Sequence, residues 1–513
     1  MPTDLTALLD QTAARRPDAS AIMALGGAVL SWAAFAAASR RIAEGLAVAG
    51  IGPGDRVAIW LSNRPEYLTT MFACARLGAT VVHINTRFRA PEVQALLDRT
   101  RPSALVVAPP LMALLPEIFS DARVPLRFVV GIDAGGLVEV GGVPVIPWAA
   151  LDANAERLAN DATPEAACLT FTTSGTTSGP KLVLHTQGSI ATHATDVAAA
   201  IGTDAPEAAI LAVIPLCGTF GLTLVMAAVA GGALIVTMER FDAAAADAAI
   251  RVHGVTHLVG SDDMFFRLAK VADGRPYAPM AFSGFASFNP GGERVVEVCG
   301  PLNMAPRGVY GSSEMQALFA QQDPMDPIRS RIGGGTPISP LAEVRARDPE
   351  TGILAAQGEL EFRAPSMFAG YLNNPEATAR VMTADGFFRS GDLGRVHHRN
   401  SFDFETRLGD VLRLGGFLVN PEEIEVFLKR QPGVAEAQVV GARGGTVAVA
   451  FVQGEAPDPA ALLAACNASL ARFKVPAAIL PLEAFPVTES PNGVKIQRAR
   501  LREMAESALA EAR

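Results

Sequence analysis

The chain has 513 residues, half of them hydrophobic and 19% charged, with a formal net charge of −9. That length exceeds what one core organises, so two or more domains are expected, and the apolar content excludes a disordered chain. No dense Lys/Arg block occurs, which argues against nucleic acid as a main partner.

The first twenty residues, MPTDLTALLDQTAARRPDAS, lack the continuous apolar core of a secretory signal. Cys74, Cys168, Cys217, Cys299 and Cys466 stand far apart with no CxxC pair. A cytoplasmic protein with reduced thiols is expected, with neither a zinc site nor a disulfide framework. RVAIWL (56–61), a helical stretch near Pro65–Leu77, then TVVHI, SALVVA, RFVVGI, ACLTFT, AILAVI and ALIVTM alternate buried-strand runs with Ala-rich segments of helical period. This is the signature of an α/β protein with largely parallel sheets. Residues 208–238 carry no charge, but Pro215, Gly218, Gly221 and the pair Gly231-Gly232 break the run. No span of about 18–20 apolar residues survives, so a buried helix near Thr219–Ala230 followed by a strand is expected instead of a membrane crossing. From Gly333 the texture turns antiparallel around the DPETG turn. NPEEIEVFLKRQ is a helix with Asn420 as N-cap and Pro421 at its first position. Two strands (AEAQVVGAR, TVAVAFVQ) and a helix (PAALLAACNASLARF) complete a C-terminal α/β unit, with a boundary near Leu408–Asp410.

One loop stands apart. LTFTTSGTTSGPKLVLHT (169–186) gathers hydroxyls and glycines before Lys181. Entered by a strand and left by a partly helical stretch, such a loop offers backbone N–H groups, hydroxyls and a cation to a polyphosphate. A P-loop is excluded, because Leu182 stands where Ser or Thr must follow the lysine.

TTSGTTSGPK resembles the phosphate loop of the adenylate-forming superfamily, which includes acyl-CoA synthetases, aryl-CoA ligases, beetle luciferases and peptide-synthetase adenylation domains. Further motifs follow in the family's order: GVYGSSEM (308–315), GELEFRAPSMFAGYLN (358–373), FFRSGDLG (387–394), TRLGDVLRLGGFLVNPEEIE (406–425) and FPVTESPNGVKIQRARL (485–501). The segment GELEFRAPSMFAGYLN serves architecture more than chemistry. Departures are Ser178-Gly179 in reversed order, Leu182 and Ala364 for glycines, and Val494 inserted before Lys495.

The resemblance implies a large N-terminal domain (1–408) of mixed, largely parallel sheets flanked by helices, with a β-rich subdomain, and a small mobile C-terminal α/β domain (409–513) swinging about Gly409. It implies ATP, Mg2+ and CoA as cofactors. Thr172, Thr173, Ser174, Gly175, Thr176, Thr177 and Lys181 would manage the β- and γ-phosphates. Gly284, Phe285 and Ala286, from SGFASF, would line adenine with their backbone, and Tyr310 would stack on it beside Gly311 and Ser312. Ser313 would contact the α-phosphate, Glu314 would hold Mg2+, and Asp392 and Arg407 would bind ribose, with Arg407 also able to reach phosphate. Lys495 would be catalytic. Cys217, Gly218 and Phe220, in PLCGTFG, would line the acyl pocket, and Gly415 and Gly416 the CoA channel.

The implied activity is an acid–CoA ligase acting through an acyl-adenylate, on an apolar fatty, alicyclic or aryl acid. The absence of an Asp in PLCGTFG disfavours amino acids. Alternatives are an acyl-AMP ligase loading a phosphopantetheinyl carrier protein, or a lapsed acyl-nucleotide binding protein. The implied partners are the acid and coenzyme A, with no integral membrane association and either a monomer or a homodimer.

Overall fold

The computed structural model describes residues 2–511 apart from 120–125, 152–159, 173–180, 287–291, 305, 324, 326–332, 409–410, 415–416, 471 and 491–492. At 399, 413, 417–418, 489–490 and 493–495 it describes the backbone alone. The chain packs as two compact units. Met1–Ser287, Gly292–Glu343 and Arg363–Thr383 form the first; Phe288–Gly291, Val344–Phe362 and Ala384–Arg513 form the second.

The first unit is built on two nine-stranded sheets. In one, Ser20–Ala24, Leu234–Thr237, Ala209–Ala212, His257–Ser261, Phe282–Ala286 and Pro306–Ser312 run parallel in that order, and Val29–Ser31, Gln316–Gln321 and Thr336–Pro337 complete its edges antiparallel. In the other, Ala167–Thr172, Thr80–His83, Arg56–Trp60, Ala104–Val107, Phe128–Gly131 and Val143–Pro147 are parallel neighbours. Thr80–His83, Ala104–Val107 and Phe128–Gly131 are buried at every position. Helices cover both faces of such strands, which is why they read as unbroken apolar runs. The expected strands are all present.

The uncharged segment 208–238 resolves as expected into a strand, a helix (Thr219–Gly231), Gly232 at φ 86° and a second strand. Two glycines let this helix lie against backbone: a Cβ on Gly221 would stand 2.4 Å from the Ile214 carbonyl, and one on Gly231 2.4 Å from Thr203. Its C-terminal carbonyls need partners in an apolar setting. Thr12 Oγ1 donates to Val229 O (2.8 Å), Arg15 to Ala230 O (2.8 Å) and Arg16 to Gly232 O (3.0 Å). No helix among the described residues is long and apolar enough to cross a membrane.

In the second unit a five-stranded antiparallel sheet runs Leu354–Ala355, Glu343–Arg347, Gln357–Arg363, Phe388–Val396, Phe402–Arg407. Its anchor is Glu361, fully buried between Arg345 (2.5 Å) and Arg347 (2.7 Å), whose cations hold its carboxyl below the usual range against the opposing effect of burial. A three-stranded sheet follows (Glu436–Ala442, Val447–Gln453, Ala478–Pro481), with helices Pro421–Lys429, Pro459–Ser469 and Arg498–Glu511. Asn420 caps the first of these, accepting from Glu422 N at 3.0 Å.

Four histidines of the first unit, His83, His185, His193 and His257, are buried. Burial pushes His83 down to about 3 and His185 to about 4, and lowers His193 and His257. The unfolded chain therefore binds protons below about pH 6.5 that the folded unit refuses, so this stability is complete above that pH and is lost as pH falls. Urea unfolding should show stability falling between pH 7 and pH 5, approaching about 1.4 kcal/mol per pH unit for each of His83 and His185. A flat profile over that range would contradict neutral burial.

Candidate functional site

The hydroxyl-rich loop differs from its sequence expectation. Ala167–Thr172 and Leu182–Thr186 pair antiparallel, Leu182 opposite Thr172 and Val183 opposite Phe171. The loop therefore closes a β-hairpin and does not lead into a helix. The helix Gln187–Ile201 begins only after Thr186, whose hydroxyl accepts from Ser189 N at 3.2 Å. Leu182, Val183 and His185 are buried, and pairing on both edges supplies backbone partners to this buried stretch. Thr172 and Lys181 stand at the two ends of the hairpin, half-buried; Thr173, Ser174, Gly175, Thr176 and Thr177 lie outside the described residues.

The second edge of Leu182–Thr186 is filled by Gly370–Tyr371, with Val183 opposite Tyr371 and Leu184 opposite Gly370. Ala369 N donates to Leu184 O (2.7 Å) and Leu372 N to Leu182 O (2.8 Å). The same short segment grips a third one, because Phe368 N donates to Glu314 O at 2.7 Å.

Glu314 lies in the three-residue turn Ser313–Met315 that joins Pro306–Ser312 to Gln316–Gln321. Turns of this length commonly end on a left-handed residue. Here it is Gln316 at φ 69°, a strained conformation for a residue with a Cβ. Its amide restrains it, donating to Ser189 O (3.0 Å) and Ser366 O (3.1 Å). Gly311 is required by close approach: a Cβ there would meet Gln316 O at 2.4 Å and Ala317 Cα at 2.8 Å. From the hairpin, His185 Nε2 reaches Ser313 O at 2.7 Å. A carbonyl only accepts, so Nε2 carries the proton, and burial keeps the ring neutral.

Two charged side chains meet on one phenol. The Tyr371 hydroxyl donates to Glu314 Oε1 at 2.8 Å, and the Lys181 ammonium lies 4.7 Å from the centroid of the same ring. Sequence reasoning gave the GYLN segment to architecture and missed Tyr371. The missed signal was a lone aromatic with a hydroxyl inside a motif otherwise made of turn residues.

The other candidates of this unit sit at the carboxyl ends of parallel strands, the usual ligand side of such sheets. Gly284, Phe285 and Ala286 close the strand Phe282–Ala286. The Phe285 side chain turns inward, 1% exposed and edge-on to Phe265, so only its backbone is available to a ligand. Tyr310, Gly311 and Ser312 end the next strand. Asn63 ties down the approach to Cys217 and Gly218, donating to Ala212 O (3.0 Å) and Ile214 O (2.9 Å) and accepting from Leu216 N (3.0 Å). Gly218 is the N-cap of the helix that carries Phe220. Burial pushes the Cys217 thiol up to about 12, so it packs as a neutral group and is no nucleophile. Phe265 is buried in the core of the parallel sheet's helix side, with Met264 and Phe266 packed against it. Asp262 opens the helix Asp262–Ala272, where a carboxylate meets the positive end of the dipole.

The second unit holds Asp392, Arg407 and Lys495. Asp392 and Arg407 face each other across paired strands, and Arg407 Nε lies 2.8 Å from Asp392 Oδ1. Asp392 N donates to Ser390 Oγ (3.0 Å) and Arg407 to Ser390 O (3.1 Å). Lys495 is in the hairpin Val487–Ser490/Gly493–Ile496, opposite Thr488. Arg498 anchors the end of that hairpin, donating to Glu425 Oε1 (2.9 Å), Gln438 Oε1 (2.9 Å) and Val439 O (2.6 Å). Gly409, Gly415 and Gly416 lie outside the described residues.

Among the described residues no group of three or more His, Cys, Asp or Glu could hold a metal. A single carboxylate, Glu314, fits an ion that takes its remaining ligands from phosphate oxygens and water, as Mg2+ does.

A family model described as AMP-binding enzyme matches residues 9–372, and one described as AMP-binding enzyme C-terminal domain matches 423–491. The chain is 31% identical over 489 residues to the 3-[(3aS,4S,7aS)-7a-methyl-1,5-dioxo-octahydro-1H-inden-4-yl]propanoyl:CoA ligase of Rhodococcus jostii, covering 90% of this chain and 92% of that one. It is 31% identical over 483 residues to the indoleacetate–CoA ligase of Aromatoleum aromaticum, covering 90% of each. ATP-bound MatB from Rhodopseudomonas palustris superposes with a TM-score of 0.82 over 99% of this chain and 100% of that one, at 23% identity, a likeness of fold.

Gly311→Ala should force the Ser313–Met315 turn away from Gln316 and destabilise the unit by about 2 kcal/mol, the usual effect of overpacking. A chemical-denaturation midpoint unchanged from the wild type would contradict the close approach.

Proposed function

Because the chain belongs to the AMP-binding, adenylate-forming enzyme family, we propose that it is an ATP-dependent carboxylic acid–CoA ligase. The reaction joins an apolar acid to CoA by way of an acyl-adenylate. The observation that carries the reading is the meeting of Lys181, Tyr371 and Glu314, residues remote in sequence, beside a turn held by His185. A cation and a carboxylate fixed this way suit a metal-bound polyphosphate.

A carboxylate is a poor acyl donor because its leaving group would be oxide. In the first step a carboxylate oxygen attacks the α-phosphorus of ATP, a P–O bond to the β-phosphate breaks, and pyrophosphate leaves with the electron pair. In the second the CoA sulfur attacks the acyl carbon and AMP leaves. Neither step needs a protein nucleophile, so positioning and electrostatics carry the catalysis. Glu314 would hold Mg2+, which neutralises phosphate charge when bound. Lys181 and the loop hydroxyls hold the β- and γ-phosphates, Ser313 the α-phosphate, and Tyr310 the adenine. Asp392 accepts from the ribose hydroxyls, with Arg407 holding its carboxylate in place. Lys495 offsets charge growing between the acid and the α-phosphate, and Gly409 is the hinge between the two steps.

For the acid, the small residues Cys217 and Gly218 in the expected acyl pocket favour a substrate with bulk near its carboxylate. Two of the relatives are named for acids with a ring system on a short arm, which agrees with an alicyclic or aryl substrate.

Acid-dependent ATP–pyrophosphate exchange over a panel of fatty, alicyclic and aryl acids tests this directly, followed by thioester assay with CoA or a carrier protein. Exchange and CoA thioester with at least one apolar acid are expected; exchange without CoA product would shift the acceptor to a carrier, and no exchange would overturn ligase activity. Lys495→Ala should lower exchange by about 100-fold or more. Full activity in that variant would overturn its role.

A further inference from the structure

We propose that Tyr371 is a positioning residue, one phenol that sets both the metal-binding carboxylate and the phosphate-binding lysine. This rests on the reading above. Its hydroxyl donates to Glu314 Oε1 and its ring face supports the Lys181 ammonium, so the two contacts use different parts of one side chain.

The tyrosine is itself fixed from several directions. It is 6% exposed, its ring lies edge-on to Phe368 with centroids 5.2 Å apart, and its N–H donates to Thr378 Oγ1 at 2.9 Å. Gly370 beside it is at φ 140°, and a Cβ there would meet Thr378 at 3.1 Å. Val183 pairs with Tyr371 two residues after Lys181, so the backbone ladder that ends the phosphate hairpin also places the phenol. A hydrogen bond from a neutral donor holds a carboxylate in one rotamer without neutralising it, which leaves its other oxygen available to a cation. The π face attracts the ammonium without removing its N–H donors, which remain available to phosphate.

The two contacts make separable predictions. Tyr371→Phe removes only the hydroxyl; Tyr371→Leu removes the ring as well. Each full-length variant is titrated with Mn2+ in the presence of the α,β-methylene analogue of ATP, reading free Mn2+ by its electron paramagnetic resonance signal. Each is also titrated with the analogue alone in EDTA by calorimetry. Tyr371→Phe should weaken Mn2+ binding by about tenfold and leave metal-free binding of the analogue within about twofold of wild type. Tyr371→Leu should weaken Mn2+ binding as much and metal-free binding by about threefold in addition.

Wild-type Mn2+ affinity in Tyr371→Phe overturns the proposal, and so does equal loss of both affinities in that variant, which marks a merely architectural role. Should Tyr371→Leu not fold, Tyr371→Phe alone decides. A wild-type protein that binds no Mn2+ with the analogue overturns the ligase reading itself and this inference with it. That result is distinct from wild-type binding that Tyr371→Phe leaves unchanged.

Discussion

The strand Leu182–Thr186 is the element on which the first unit's site depends. It is paired on both edges, with Ala167–Thr172 on one side and Gly370–Tyr371 on the other. Lys181 precedes it, His185 within it holds the Ser313 carbonyl, and Tyr371 across from it holds Glu314. Three motifs spread between Lys181 and Tyr371 are thus registered against five residues of backbone. Ladder hydrogen bonds fix register in steps of a residue, and a one-residue slip would turn every side chain to the other face. Nothing softer would keep a cation and a carboxylate on one phenol.

Preorganisation of this kind has visible costs. Gln316 is held at φ 69° by two amide hydrogen bonds, and Gly311 is needed because the turn folds back onto it. His185 is kept neutral by burial so that it can donate without adding a charge beside the turn. A fixed donor set reduces the reorganisation needed as charge develops, which is where electrostatic catalysis gains most. The second unit follows the same logic in Asp392 and Arg407, which oppose each other across paired strands, and in Arg498, which fastens the lysine hairpin through three contacts.

Much of this was legible in the sequence because its cues are local. Buried parallel strands announce themselves as apolar runs, the Asn420 cap and the DPETG turn carry their own chemistry, and the glycines of 208–238 told against a membrane span. What stayed hidden depends on pairing across the chain. The stretch after Lys181 reads as partly helical, and only pairing with two neighbouring strands shows that LVLHT is extended and that the helix waits until Gln187. Tyr371 reads as an architectural aromatic until its hydroxyl is seen against Glu314. Phe285, expected to line adenine with its backbone, turns its side chain into the core, which no local cue announces. Asp262 gains its meaning only from the helix it opens.

The claim that the Tyr371 hydroxyl acts through Glu314 is tested most directly by a double-mutant cycle on Mn2+ affinity in the presence of the ATP analogue. The account predicts that in a Glu314→Gln background, removing the hydroxyl with Tyr371→Phe changes that affinity by less than about twofold, because the group it oriented has already lost its charge. The full loss appearing again in that background would show that the hydroxyl acts elsewhere and would contradict the account.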